Sequence, residues 1–141
     1  MIGAAAGDAS DNGNDVKPIN PIKADYWNGQ VLTPKLGIVE GPSGKESYYN
    51  LNMDGVLKIM RSIGINDKYW LREDGVKMLG KNIMVAANLE TRPRGSLIKT
   101  TLGMAIVCDT GDFVKKDPTQ IDVAVGWMKN KETGLYYIDP R

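Results

Sequence analysis

Apolar residues between positions 83 and 127 come in short runs, at 83–87, 97–100, 103–108 and 121–125. The runs are bounded by Asn88, the Thr101-Leu102-Gly103 turn, Asp109 and Gly126. Runs this short between turn formers suit strands and leave no room for buried helices. The third run closes on I-V-C-D-T-G at 106–111. The fourth carries Asp122 between Ile121 and Val123, 13 residues beyond Asp109. Two carboxylates on neighbouring apolar strands make this stretch the centre of the chain.

The rest reads as scaffold. Residues 52–63 form the clearest helix, with Met53, Val56, Leu57, Met60 and Ile63 at helical spacing on one face. Asn52 suits the N-cap, Asp54 the first turn and Gly64 the stop. This helix should pack on a sheet and carry no chemistry. Further strands are expected at 31–33 and 36–39, separated by Pro34, and at 69–71 and 136–138. Trp27-Asn28-Gly29, Glu73-Asp74-Gly75 and Arg92-Pro93-Arg94-Gly95 read as turns. Residues 41–46 and 112–120 read as loops. Short strands joined by glycine turns, with one helix, point to a small closed or nearly closed β-barrel.

With 141 residues the chain has room for one compact domain, and 42% hydrophobic residues can fill its core. Residues 1–21 hold almost nothing that packs and are expected to be a flexible tether, leaving 22–141 as the domain. The first residues are too short and too weakly apolar for a signal peptide. No stretch approaches the length of a membrane-spanning helix.

A formal charge of +1, from 18 basic and 17 acidic residues, leaves no electrostatic footprint for nucleic acid. The G-P-S-G-K-E segment at 41–46 lacks the spacing of a phosphate-binding loop, so no nucleotide is expected. With no histidine and one cysteine, the chain cannot build a Ser-His-Asp triad, a Cys-His pair or a histidine-bound zinc site. Cys108, inside I-V-C-D, reads as a small buried hydrophobe. Without a cofactor, the carboxylates are the leading general acids and bases; no cofactor and no metal are expected.

Three segments together carry a resemblance: M-V-A-A-N-L-E-T-R-P-R-G-S-L-I, then G-M-A-I-V-C-D-T-G, then I-D-V-A-V-G-W. Across roughly residues 80–127 the chain resembles the "3D" domain, named for three aspartates. That family shares its barrel with membrane-bound lytic transglycosylase A and the stationary-phase survival muralytic proteins of Firmicutes. The resemblance implies a mainly β fold with one or two helices, a six-stranded double-psi β-barrel. Its second and third aspartates fall at Asp109 and Asp122, and its first at Asn88, where the chain departs from the pattern. If the first aspartate only holds a turn, asparagine is a fair replacement.

The resemblance further implies cleavage of the bond between N-acetylmuramic acid and N-acetylglucosamine in peptidoglycan. A hydrolase needs activated water or an enzyme nucleophile. A lytic transglycosylase needs neither, because the muramic acid C6 hydroxyl attacks and closes a 1,6-anhydro ring. One carboxyl group can then serve as acid and afterwards as base. On this reading Asp122 is the acid/base, its pKa raised by burial among Ile121, Val123 and Val107 and by the nearby charge of Asp109, which tunes and orients it. Thr110 and Asn88 belong beside the pair. Lys77, Tyr48, Tyr49 and Trp127 are candidates for a glycan groove, with core packing the competing role for the aromatic residues and a solvated surface position for Lys77.

The expected partner is the peptidoglycan glycan strand. The expected location is outside the membrane, secreted or on the cell wall, on a bacterium or on a phage or mobile element. A homodimer formed by strand exchange is open to the chain. Two other readings compete: a peptidoglycan-binding or wall-assembly module without catalysis, favoured by Asn88, and an aspartic peptidase of the retroviral type, favoured by D-T-G. The peptidase reading lacks the second apolar-glycine strand downstream.

Overall fold

The computed structural model describes residues 17–140, so residues 1–16 of the expected tether lie outside the described residues. The described chain is mainly β with one α-helix. Its elements are β1 (Val39–Gly41), β2 (Gly44–Tyr49), α1 (Asp54–Ser62), β3 (Tyr69–Leu71), β4 (Lys77–Leu79), β5 (Asn82–Ala86), β6 (Leu97–Thr100), β7 (Gly103–Asp109), a 3-10 turn at Asp112–Lys115, β8 (Ile121–Ala124), β9 (Trp127–Lys129) and β10 (Tyr136–Ile138).

Eight strands share one sheet, in the path β1-β2-β8-β5-β4-β3, with β7 on β5 and β6 on β7; β9 and β10 form a separate hairpin. Two pairings, β2 with β8 and β5 with β7, are parallel; the other strand pairings are antiparallel. β5 is the hub. β7 runs along it, while β4 pairs with its first residues and β8 with Val85 and Ala86. The path stops at β1, β3 and β6 and does not return on itself. The expected closed or nearly closed barrel of six strands is therefore corrected to an eight-stranded sheet that is not a closed barrel. The difference arises from short edge strands, such as β1, that local composition does not mark.

Alternation along the strands divides the apolar residues between two faces. Ile83, Val85, Ala105, Val107, Ile121 and Val123 enter the larger core, which Leu32, Val76 and Trp127 complete. Met84, Ile106, Cys108 and Ala124 face the other way, against Met53 and Met60 of the helical segment. The helix lies within the expected limits. However, Met53 holds the N-cap position, and Asn52 instead accepts a hydrogen bond from the Asp54 amide at 2.8 Å. Ile63, expected on the buried face, is half exposed because the helix has already ended.

Three expectations for the N-terminal half are corrected. Residues 31–33 form no strand. Leu32 is buried, and its amide donates to the Thr101 hydroxyl at 3.1 Å, which replaces a ladder bond. From 36–39 only Val39 joins a strand, because the chain turns at 34–36. The loop expected at 41–46 is instead the turn of the β1–β2 hairpin and the first half of β2.

Glu46 is completely buried in β2. Its two oxygens accept from the Thr101 amide and the Thr101 hydroxyl, both at 2.8 Å. Burial holds its carboxyl above the ordinary value, against the pull of those two bonds. The folded chain therefore binds that proton more tightly than the unfolded chain. Glu46's contribution to stability is full below the ordinary carboxyl range and is lost as pH rises through the raised value. Thr101→Val would orphan both Glu46 Oε1 and the Leu32 amide. Urea denaturation at pH 7 should show a loss of about 2–3 kcal/mol. The loss should shrink as pH falls and Glu46 protonates, because a neutral acceptor loses less with its donor than a charged one.

Candidate active site

The site is organised around the smallest side chain on the hub strand. Ala86 of β5 is paired with Asp109 of β7 on one side and with Asp122 of β8 on the other. Cross-strand partners project from the same face, so both carboxylates rise beside the Ala86 methyl. One intervening strand sets their Cα atoms about 10 Å apart.

A β-bulge makes this possible. Val85 pairs with Val107, yet the next residue, Ala86, pairs with Asp109, so Cys108 is the extra residue on β7. Without the bulge, strict alternation would turn Asp109 toward the Val107 face and into the larger core. Cys108 itself is buried, and burial pushes its thiol up to about 12, as befits a packing residue.

β2 supplies the partners of both acids. It lies parallel to β8 with Ser47 opposite Asp122 and Tyr49 opposite Ala124, so Ser47 and Tyr49 share the carboxylate face. The Ser47 hydroxyl donates to Asp122 Oδ1 at 3.0 Å, and the Gln120 amide nitrogen donates to Ser47 Oγ at 2.8 Å. The Tyr49 hydroxyl donates to Asp109 Oδ2 at 3.0 Å, and the Thr110 backbone amide donates to Asp109 Oδ1 at 2.9 Å. Both oxygens of Asp109 are thus engaged. Asp122 Oδ2 accepts no hydrogen bond among the described residues.

Asp122 is half-buried, and its carboxyl is held above the ordinary value. Burial is the main cause, the Ser47 bond opposes it, and the charge of Asp109 adds to it. The direction, the burial and the Asp109 charge are the expected ones, but the residues that bury the carboxyl differ. Ile121, Val123 and Val107 belong to the core on the opposite face, so they do not bury the carboxyl. Burial, above all, raises the Tyr49 phenol far beyond its usual range, followed by the charge of Asp109 and the hydrogen bond to it. Tyr49 therefore stays a neutral donor.

Asn88 stands just beyond β5. Its side-chain oxygen accepts from the Glu90 amide at 3.0 Å, and its backbone oxygen accepts from the Arg92 amide at 2.8 Å. It holds a turn through its side chain. Together with Leu89, Glu90, Thr110, Val114 and Lys115 it lines an open depression of about 480 Å³. Thr110, whose side chain is exposed, links that depression to Asp109.

Three expected groove residues lie elsewhere. Trp127 is buried, donating from its indole nitrogen to the Asp74 carbonyl at 2.6 Å. Tyr48 points to the face opposite Ser47, stacks edge-on against Trp127 at 4.9 Å and donates to the Pro34 carbonyl at 2.7 Å. Trp127 lies in the core and Tyr48 packs half-buried against it, so both take the core-packing role that competed with the glycan groove. Lys77, expected in the groove or on the surface, is buried. Its ammonium donates to the Leu51 carbonyl at 2.6 Å and the Asn50 side-chain oxygen at 3.2 Å. It borders a separate cavity of about 270 Å³ at the head of α1, whose walls include neither Asp109 nor Asp122.

Ser47 and Gln120 were missed because each lies in or beside a segment whose polar composition suggested a loop. The signal that could have found Ser47 is the alternation of Glu46 and Tyr48 with Ser47 and Tyr49. Among the described residues no group of three or more Cys, Asp or Glu is placed to hold a metal ion, and no helix is long and apolar enough to cross a membrane. Comparison with family models, with curated proteins and with solved structures gives no match to this chain.

Proposed function

We propose that this chain is a peptidoglycan-cleaving domain of the 3D type that works as a lytic transglycosylase, with Asp122 as its acid/base. The observation that carries this reading is the unequal pair around Ala86. One carboxylate is engaged at both oxygens. The other is half-buried, raised in pKa and has one oxygen without a donor among the described residues. Two carboxyl groups with environments this different suit different roles. Asp122 protonates the glycosidic oxygen from Oδ2, the muramic acid C6 hydroxyl attacks the anomeric carbon, and the Asp122 carboxylate takes up that hydroxyl's proton. Asp109 orients the site and keeps the neighbouring carboxyl in its acid form. The turn-holding role of Asn88 supports activity without the first family aspartate.

A double-psi arrangement of the central strands is part of the same proposal. Its support is the two parallel pairings, β2 with β8 and β5 with β7, set among antiparallel ones. The substrate places the domain at the cell wall, whether secreted, displayed on the surface or carried by a phage or mobile element. Digestion of purified Gram-positive peptidoglycan, read by mass spectrometry, tests the reading. Muropeptides lighter by one water than hydrolysed ones are expected. Ordinary reducing ends would mean a hydrolase, and sedimentation onto the wall without release would mean a binding or assembly module.

A further inference from the structure

Resting on the reading of Asp122 as the acid/base, we propose that Ser47 is its positioning residue and that the Gln120 side-chain amide fixes the direction in which the Ser47 hydroxyl points. A serine hydroxyl has one proton to give and lone pairs to receive. Gln120 Nε2 lies 2.8 Å from Ser47 Oγ and occupies a lone pair, so the single Ser47 proton is left for Asp122 Oδ1 at 3.0 Å. That bond commits Oδ1 as an acceptor and leaves Oδ2, without a donor among the described residues, as the oxygen that carries the transferable proton.

The geometry is set by strand register. Ser47 and Asp122 are direct partners in the parallel β2–β8 pair, and Gln120 precedes β8 by one residue. Were the amide reversed, Gln120 Oε1 would claim the Ser47 proton and Asp122 Oδ1 would lose its donor. The chain Gln120–Ser47–Asp122 therefore sets both which oxygen is protonated and how readily it gives the proton up. The other titratable groups facing Asp122 are Asp109 from β7 and Tyr49 from β2, while β5 presents Ala86, which does not titrate.

The test is a carbon-13 carboxyl NMR titration of the full chain, with the Asp122 resonance identified by its loss in Asp122→Asn. Ser47→Ala removes a donor to the charged form, so the Asp122 midpoint should rise by about one pH unit. Ser47→Thr, which keeps the hydroxyl, should restore it. Gln120→Glu should also raise the midpoint, because the new carboxylate competes for the Ser47 proton and adds a like charge. The alkaline limb of glycan release should move with each midpoint. An unchanged midpoint in Ser47→Ala, or in Gln120→Glu, overturns the positioning role. Because the titration needs no activity, it stands apart from the functional reading. Shifted midpoints without glycan release would refute the enzyme and keep the positioning, and release with fixed midpoints would do the reverse.

Discussion

On the proposed lytic transglycosylase reading, Asp122→Asn should lower the release of anhydro-muropeptides by about 100-fold or more, the range that a general acid contributes. The fold should survive. Asparagine at 122 can still accept from Ser47 through its side-chain oxygen, and the residues packed around it are unchanged. The pH dependence follows from the sign of the shift. Burial and the Asp109 charge hold the Asp122 carboxyl above the ordinary value, so the acid form persists beyond the usual carboxylate range and is lost as pH rises through the raised value. Activity should decline along that limb. Asp109→Asn should move the limb to lower pH, because it removes the like charge while leaving the acid in place. Initial rates of soluble muropeptide release across pH, for the wild type and the two variants, check all three statements. Wild-type levels of anhydro products from Asp122→Asn would remove the residue from the mechanism. A limb that Asp109→Asn leaves unmoved would mean that the two carboxylates do not sense each other.

The candidate site was legible in the sequence where it rests on apolar strands and illegible where it rests on polar ones. β5, β7 and β8 appear as short apolar runs, each closed by a turn former. Reading them from composition works because burial on both faces leaves few polar positions to blur the pattern. β2 fails the same test. Its buried positions include Glu46, which is tolerable there because Thr101 satisfies both its oxygens from 55 residues away. A long-range pair of this kind leaves no local trace, so the first half of the strand that brings Ser47 and Tyr49 to the carboxylates looked like a loop.

The convergence of Asp109 and Asp122 depends on another feature that sequence patterning does not report. Strict period-two alternation from Val107 would have put Asp109 on the core face. The bulge at Cys108 corrects its aim. Leu32 shows the opposite failure: an apolar residue among strand formers that is buried in an irregular segment because a threonine hydroxyl on a distant turn accepts its amide.

The largest effect on stability is expected at Trp127, where a groove role and a core role make opposite predictions. The indole is buried, meets Tyr48 edge-on at 4.9 Å and donates to the Asp74 carbonyl. Asp74 is itself a junction: its carboxylate accepts from the Arg72 guanidinium at 2.9 and 2.8 Å and from the Ile22 amide at 2.8 Å. Gly75, at φ +86°, lies so close that an added Cβ would sit 2.9 Å from the indole, so the turn is shaped around this ring. Trp127→Ala should cost about 3–5 kcal/mol, from the cavity and lost burial together. It also leaves the Asp74 carbonyl without its indole donor. Trp127→Phe keeps most of the packing and should lose about 1–2 kcal/mol, chiefly that hydrogen bond. Urea denaturation of both variants measures the costs, and sedimentation of the folded Phe variant with peptidoglycan measures binding. On the proposed function, a core residue predicts a large loss of stability in Trp127→Ala and unchanged affinity for peptidoglycan in Trp127→Phe. Weakened affinity at unchanged stability would return Trp127 to the glycan groove and overturn its place in the core.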